Sequence, residues 1–205
     1  PVEPSGAAER LVVVRHPDVQ QPSWQRYYLA PSYRTLTDGE PYALQVLSEI
    51  LGGGSTGRLY RALVVERRVA VSAGTGYSGN DYDETRFVVY GAPADGTDPE
   101  ALGAAIEAEI DRLLAEGITD KELADAKRGL VTAAVYARDS VGGPARALGS
   151  ALTAGRTIAG VEAWPDRIAA VTAEDVLHAA RLVLRPDRSV TGYLLPAERA
   201  AELTQ

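Results

Sequence analysis

Residues 44–77 read "LQVLSEILGGGSTGRLYRALVVERRVAVSAGTGY", and the reading of this stretch decides the fold. Leu44, Leu47 and Leu51 recur at helical spacing, as do Val46 and Ile50, and Pro41 upstream suits a first helical turn, where no N–H is needed. Gly52 is placed to supply a left-handed helix cap. "GRLYRALVVERR" reads as a second helix, with Leu59, Leu63 and Glu66 on one line. "VAVSAGTGY" then alternates as a strand. The glycines between the helices do not form a phosphate cradle. Such a loop follows a strand and carries Lys-Ser or Lys-Thr, whereas this one follows a helix and carries Arg58. What remains is a connector whose glycines permit positive φ and close backbone approach, or a loop whose exposed N–H groups meet a peptide or partner.

Outward from this stretch, "RLVVVRH" and "WQRYYLA" read as strands. The second has mixed faces and is expected near a sheet edge or interface. "SGNDYDE" is a turn cluster leading to the strand "TRFVVYGA". Helices follow. Asp98-Pro99 opens one, Thr119 to Glu122 forms a capping box for the next, and "GGPARALGSALTAG" makes a short one. A further helix is broken or started near Pro165, and Thr172 with Asp175 caps the last. "SVTGYLLP" closes as a strand. The order is two strands, two helices, two strands, a helical block and a strand. It predicts an α+β fold, an antiparallel sheet with helices on one face. The domain is expected over residues 11–197, after a linker at 1–10 and before a tail at 198–205.

Composition narrows the function. The 205-residue chain is 45% apolar and 24% charged, with net charge −7 and no basic block, a poor match to nucleic acid or an anionic membrane. No apolar run is long enough to span a bilayer. The start has neither the charged nor the apolar region of a signal peptide, and a chain opening on Pro1 in a Pro-rich stretch is expected to be a piece of something longer. There are no cysteines and two histidines, His16 and His178. His16 reads as solvated or structural and His178 as a half-buried helix-face residue, and neither belongs to a His-Glu-x-x-His or His-x-x-Glu-His motif. "NDYDE" (80–84) reads as a polar hairpin tip rather than a cation loop, and Arg67-Arg68 as a solvated helix end. No residue stands out as catalytic and no metal ligands are identified.

The stretch "LGGGSTGRLYRALVVERRVAVSAGTGY" resembles the C-terminal half of the pitrilysin-type (M16) zinc metallopeptidases. Their pattern there is "LGGG-x-x-S/G-RL-(Y/F)", then "R-E-x-x-G-L-A-Y", then a strand. "GITDKELADAKRGL" is similar to the family's "G-(I/V)-T-x-x-E-L-x-x-A-K", and the opening "P-x-E…R-x-V-V-V-R" is similar to the connector entering that half. The likeness runs from about Arg10 to Leu195.

The resemblance implies an α+β half without zinc. Zn2+ and the general base would come from a missing N-terminal half or a second M16 subunit, and two halves would enclose a chamber for a peptide substrate. It also implies an Arg and a Tyr seven residues apart, reaching toward substrate; those places are taken here by Val64 and Val71. Arg67 and Arg68 offer no replacement pair, since they meet Gly74 and Thr75 at that spacing. A partner subunit is therefore expected. Gly52, Gly53, Gly54 and Ser55 would face substrate, and replacing Gly53 and Gly54 with alanine would lower peptide affinity. Two alternatives stand beside this reading: a non-catalytic assembly subunit, or a protein-binding module presenting Trp24, Tyr27 and Tyr28. An isolated half is expected to self-associate. A periplasmic or secreted setting is favoured over a cytoplasmic one.

Overall fold

The computed structural model describes residues 8–35 and 39–197. Most of the expected linker and the whole of the expected tail lie outside these residues.

Five strands form one sheet: β1 (Arg10–His16), β2 (Ser23–Ala30), β3 (Ala70–Tyr77), β4 (Thr85–Pro93) and β5 (Ser189–Pro196), in the order β1-β5-β2-β4-β3. β2 pairs antiparallel with β4 and β5, and β3 antiparallel with β4. β1 runs parallel to β5, Leu11 beside Thr191 and Val14 beside Leu194. The final strand is thus inserted between the first two. The fold is the expected α+β with a mostly antiparallel sheet.

β2 is central, not near an edge. Trp24, Arg26 and Tyr28 point to the helix-covered face and are buried. The face reads as mixed in sequence because a guanidinium stands in the core. Arg26 donates to Thr191 Oγ1 at 2.8 Å and pairs with Glu9 and Glu107, each at 2.6 Å, so its charge is compensated. These partners come from three distant parts of the chain, and local pattern cannot reveal them.

Helix α1 (Glu40–Gly52) buries Leu44, Val46, Leu47, Ile50 and Leu51 against β3 and the other helices. The segment expected as a second α-helix is a π-helix over Tyr60–Glu66: the Arg67 N–H reaches five residues back to the Ala62 carbonyl at 2.9 Å. It ends on Arg68 at φ 54°, with the Val69 N–H bonded to the Leu63 carbonyl. Helix α2 (Pro99–Glu116) is capped by Asp98, which accepts from Glu100, and places Leu102, Ile106, Ile110 and Leu113 in the core. The expected capping boxes at Thr119 and Thr172 both form, opening α3 (Asp120–Asp139) and, later, α7 (Ala173–Val183). Between them lie α4 (Gly143–Thr153), α5 (Ile158–Glu162) and α6 (Trp164–Ala170), with the break at Ala163, close to Pro165.

The other face of the sheet carries Val12, Val14, Leu29, Tyr90 and Leu194, all exposed, with Tyr27, Val88 and Val190 half-buried among them. No described helix covers these side chains.

Candidate functional site

The glycine turn is built by steric necessity. Gly52 closes α1 where the helix end meets β3. A Cβ there would lie 2.2 Å from the Thr75 backbone nitrogen. The same junction is tied by Thr75 Oγ1 donating to the Ser48 carbonyl at 2.8 Å. Gly52 is therefore not the left-handed cap; among the turn's glycines that conformation belongs to Gly54, at φ 61°. The close approach wins over the capping role because the sheet leaves no room for a side chain. At Gly53 a Cβ would lie 2.3 Å from the Glu49 carbonyl oxygen, which accepts the Gly53 N–H at 2.8 Å. Gly54–Thr56 then make one 3-10 turn, whose three residues are exposed, and buried Gly57 leads toward the π-helix. Of the four residues expected to face a substrate, Gly54 and Ser55 reach solvent freely. Gly52 and Gly53 are half-buried and serve the helix–sheet junction, so a Gly53→Ala change tests the fold before it tests any ligand.

The turn forms one wall of a cleft of about 1180 Å³. Its other wall is α3, with Thr132, Ala133 and Tyr136, and its floor includes Arg58 and Glu122. Arg58 grips Glu122 with both Nε and Nη2, at 2.6 and 2.8 Å, and Nη2 also donates to the Gly117 carbonyl at 2.8 Å. These bonds, with those from Thr119, hold the Glu122 carboxyl down to about 2, against an ordinary 4.5. Several other lining charges are likewise paired: Lys121 and Arg128 with Asp125, and Arg112 with Glu109; Arg61, Glu66 and Glu116 are exposed at the cleft. Glu49 stands apart. Half-buried on the last turn of α1, its carboxyl is pushed up by desolvation alone.

Val64 is half-buried and packs on the core, whereas Val71 is 54% exposed, where the pairing of β3 with β4 shifts register. The other residues singled out from the sequence scatter. His16 is exposed at the end of β1 beside Asp18. His178 lines a separate small pocket with Glu40, Arg167 and Asp175. Among the described residues no group of three or more His, Cys, Asp or Glu is placed to hold a metal ion, so this donor set does not fit a catalytic zinc. In the hairpin cluster Asn80 Oδ1 accepts a hydrogen bond from Arg156 at 2.8 Å. Trp24 and Tyr28 are 1% and 2% exposed, so they cannot anchor a partner; Tyr27, on the opposite face, bonds Gln25. No described helix is long and apolar enough to cross a membrane.

Sequence reasoning missed the Glu49 carboxyl and the π-helix. The local pattern of Leu and Val is the same for α and π winding, and the pocket around Glu49 depends on Gly129, eighty residues away in sequence.

Comparison with known proteins agrees with this architecture. Residues 1–130 match the family described as the peptidase M16 inactive domain. An uncharacterized zinc protease of Streptomyces coelicolor is 31% identical over 160 residues, 77% of this chain and 34% of that protein. A protease from Helicobacter pylori shares the fold with TM-score 0.85 and 23% identity, over 94% of this chain and 45% of that one. A chain of complex III2 from Candida albicans shares it with TM-score 0.74 and 16% identity, over 92% and 46%. This chain belongs to the M16 peptidase family, as its inactive C-terminal domain. It spans about a third of the length of the Streptomyces relative.

Proposed function

We propose that this chain is the non-zinc-binding domain of an M16-type zinc endopeptidase and that its cleft helps form the chamber holding a peptide. Zinc and the general base come from an N-terminal half or a second subunit. The observation that carries this reading is the exposed Gly54-Ser55-Thr56 apex, whose Ser55 and Thr56 line a large cleft. The uncovered apolar sheet face supplies a surface on which the remaining M16 half or subunit can pack.

The need for a partner rests on Val64 and Val71. The left-handed Arg68 supports the register behind that assignment, because it occupies the place of the glycine in "R-E-x-x-G-L-A-Y", where such a φ is favourable. Valine offers neither charge nor hydroxyl to a transition state. A partner subunit then supplies both.

Natural-length protein carrying Ser55→Trp or Thr56→Trp tests the cleft. Peptide KM should rise about tenfold with kcat nearly kept, the mark of lost uniform binding. An unchanged KM returns the turn to a plain connector.

A second reading, a non-catalytic assembly subunit, is favoured by the extent of the uncovered apolar face and by the likeness in fold to the complex III2 chain. Zinc content of the natural-length protein separates the two.

A further inference from the structure

The Glu49 carboxyl has no hydrogen-bond or ion-pair partner among the described residues. Its surroundings are shaped to admit it. A Cβ on Gly53 would lie 2.7 Å from Glu49 Oε1, and one on Gly129 of α3 would lie 3.2 Å away. Two glycines from separate elements thus let the carboxyl lie between the turn and α3 while it lines the cleft. Four of the cleft's cations are engaged elsewhere: Arg58 with Glu122, Arg112 with Glu109, and Lys121 and Arg128 with Asp125. Arg61, exposed on the π-helix, makes no ion pair with Glu49.

Half-removing a carboxylate from water without a counter-charge is unfavourable, and here desolvation is the cause of its raised proton affinity. An incoming cation relieves that cost and adds charge-assisted hydrogen bonds. We infer that Glu49 selects a basic side chain, guanidinium or ammonium, of a peptide lying in the cleft. This inference rests on reading the cleft as peptide-binding and names the chemistry that the site prefers. Ser55, on the same wall, offers its hydroxyl to the neighbouring peptide backbone, whereas the Thr56 hydroxyl donates to the Gly53 carbonyl at 3.0 Å.

The test uses natural-length protein in the presence of a chelator, so that peptides are bound and not cut. Short alanine-rich, N-acetylated, dye-labelled peptides carry Arg, Lys or Gln at the centre, and a further Gln peptide keeps a free amino terminus. Fluorescence anisotropy yields Kd for the wild type and for Glu49→Gln, with melting temperatures confirming that both are folded. Arg and Lys peptides should bind about tenfold tighter than the acetylated Gln peptide, and Glu49→Gln should remove most of that preference while leaving Gln-peptide binding nearly unchanged. A basic preference that survives Glu49→Gln, or none in the wild type, overturns the inference while leaving a peptide cleft in place. Tighter binding of the free-amine peptide alone, lost in Glu49→Gln, overturns the side-chain assignment in favour of an amino terminus. No binding of any peptide overturns both this inference and the reading beneath it.

Discussion

Arg58 and Glu122, 64 positions apart, meet in a bidentate ion pair with both side chains largely buried. Arg58 lies between the glycine turn and the π-helix, and Glu122 closes the capping box of α3. One contact therefore fixes the turn against the helix that forms the far wall of the cleft. Both residues belong to the family-like segments of the sequence, the Arg of "GGGSTGRLY" and the Glu of "GITDKEL".

Removing either partner leaves the other charge uncompensated. Arg58→Ala should cost about 3 kcal/mol in urea unfolding, the lower end for a buried pair, because Glu122 keeps 26% of its exposure. Arg58→Lys should recover only part of this, since an ammonium cannot form the two parallel bonds.

The same pair sets an acid limit. The Glu122 carboxyl lies at about 2 when folded, below its ordinary 4.5. Its stabilisation is complete above the ordinary value and is lost as pH falls from there through about 2. Glu122→Gln should lower stability at neutral pH and flatten the acid side of the stability profile, read from unfolding midpoints across that window. An unchanged slope would mean that the pair does not control this region.

The turn's glycines should differ sharply. Gly52→Ala drives a methyl into the Thr75 backbone and should destabilise by about 3 kcal/mol or more. Gly54→Ala meets open space and pays only for φ 61°, about 1 kcal/mol. At Arg68, glycine relieves the left-handed strain, so Arg68→Gly should raise stability by about 0.5–1 kcal/mol. Thermal melts of the three variants give the order directly.

The uncovered sheet face predicts association. Size-exclusion chromatography of the 205-residue chain should show concentration-dependent oligomers, and Leu29→Lys with Leu194→Lys should shift it toward monomer. A monomeric wild type at all concentrations would mean that this face tolerates water.

Helix starts were legible because capping chemistry is local. Asp98, Thr119 and Thr172 each bond backbone N–H groups within three residues. Strand identities were legible from β-branched and aromatic runs and, for β3, from alternation. The central place of β2 was not, because the buried charge of Arg26 is balanced by Glu9 and Glu107, which only the folded chain brings together. Nor was the parallel β1–β5 pair, which joins residues about 180 positions apart. At the site, the glycine turn was visible as a special backbone segment. Its division into two structural glycines and an exposed apex depends on Thr75 and Glu49, and that division is a property of packing.

The proposed role in a zinc endopeptidase stands or falls on the zinc content of the natural-length protein purified from its source, measured by atomic absorption before and after chelation. About one chelatable zinc per chain is expected, bound outside residues 1–205, with peptide cleavage lost when it is removed. Natural-length protein that carries no zinc and cleaves no peptide would contradict that role and leave a non-catalytic M16 subunit.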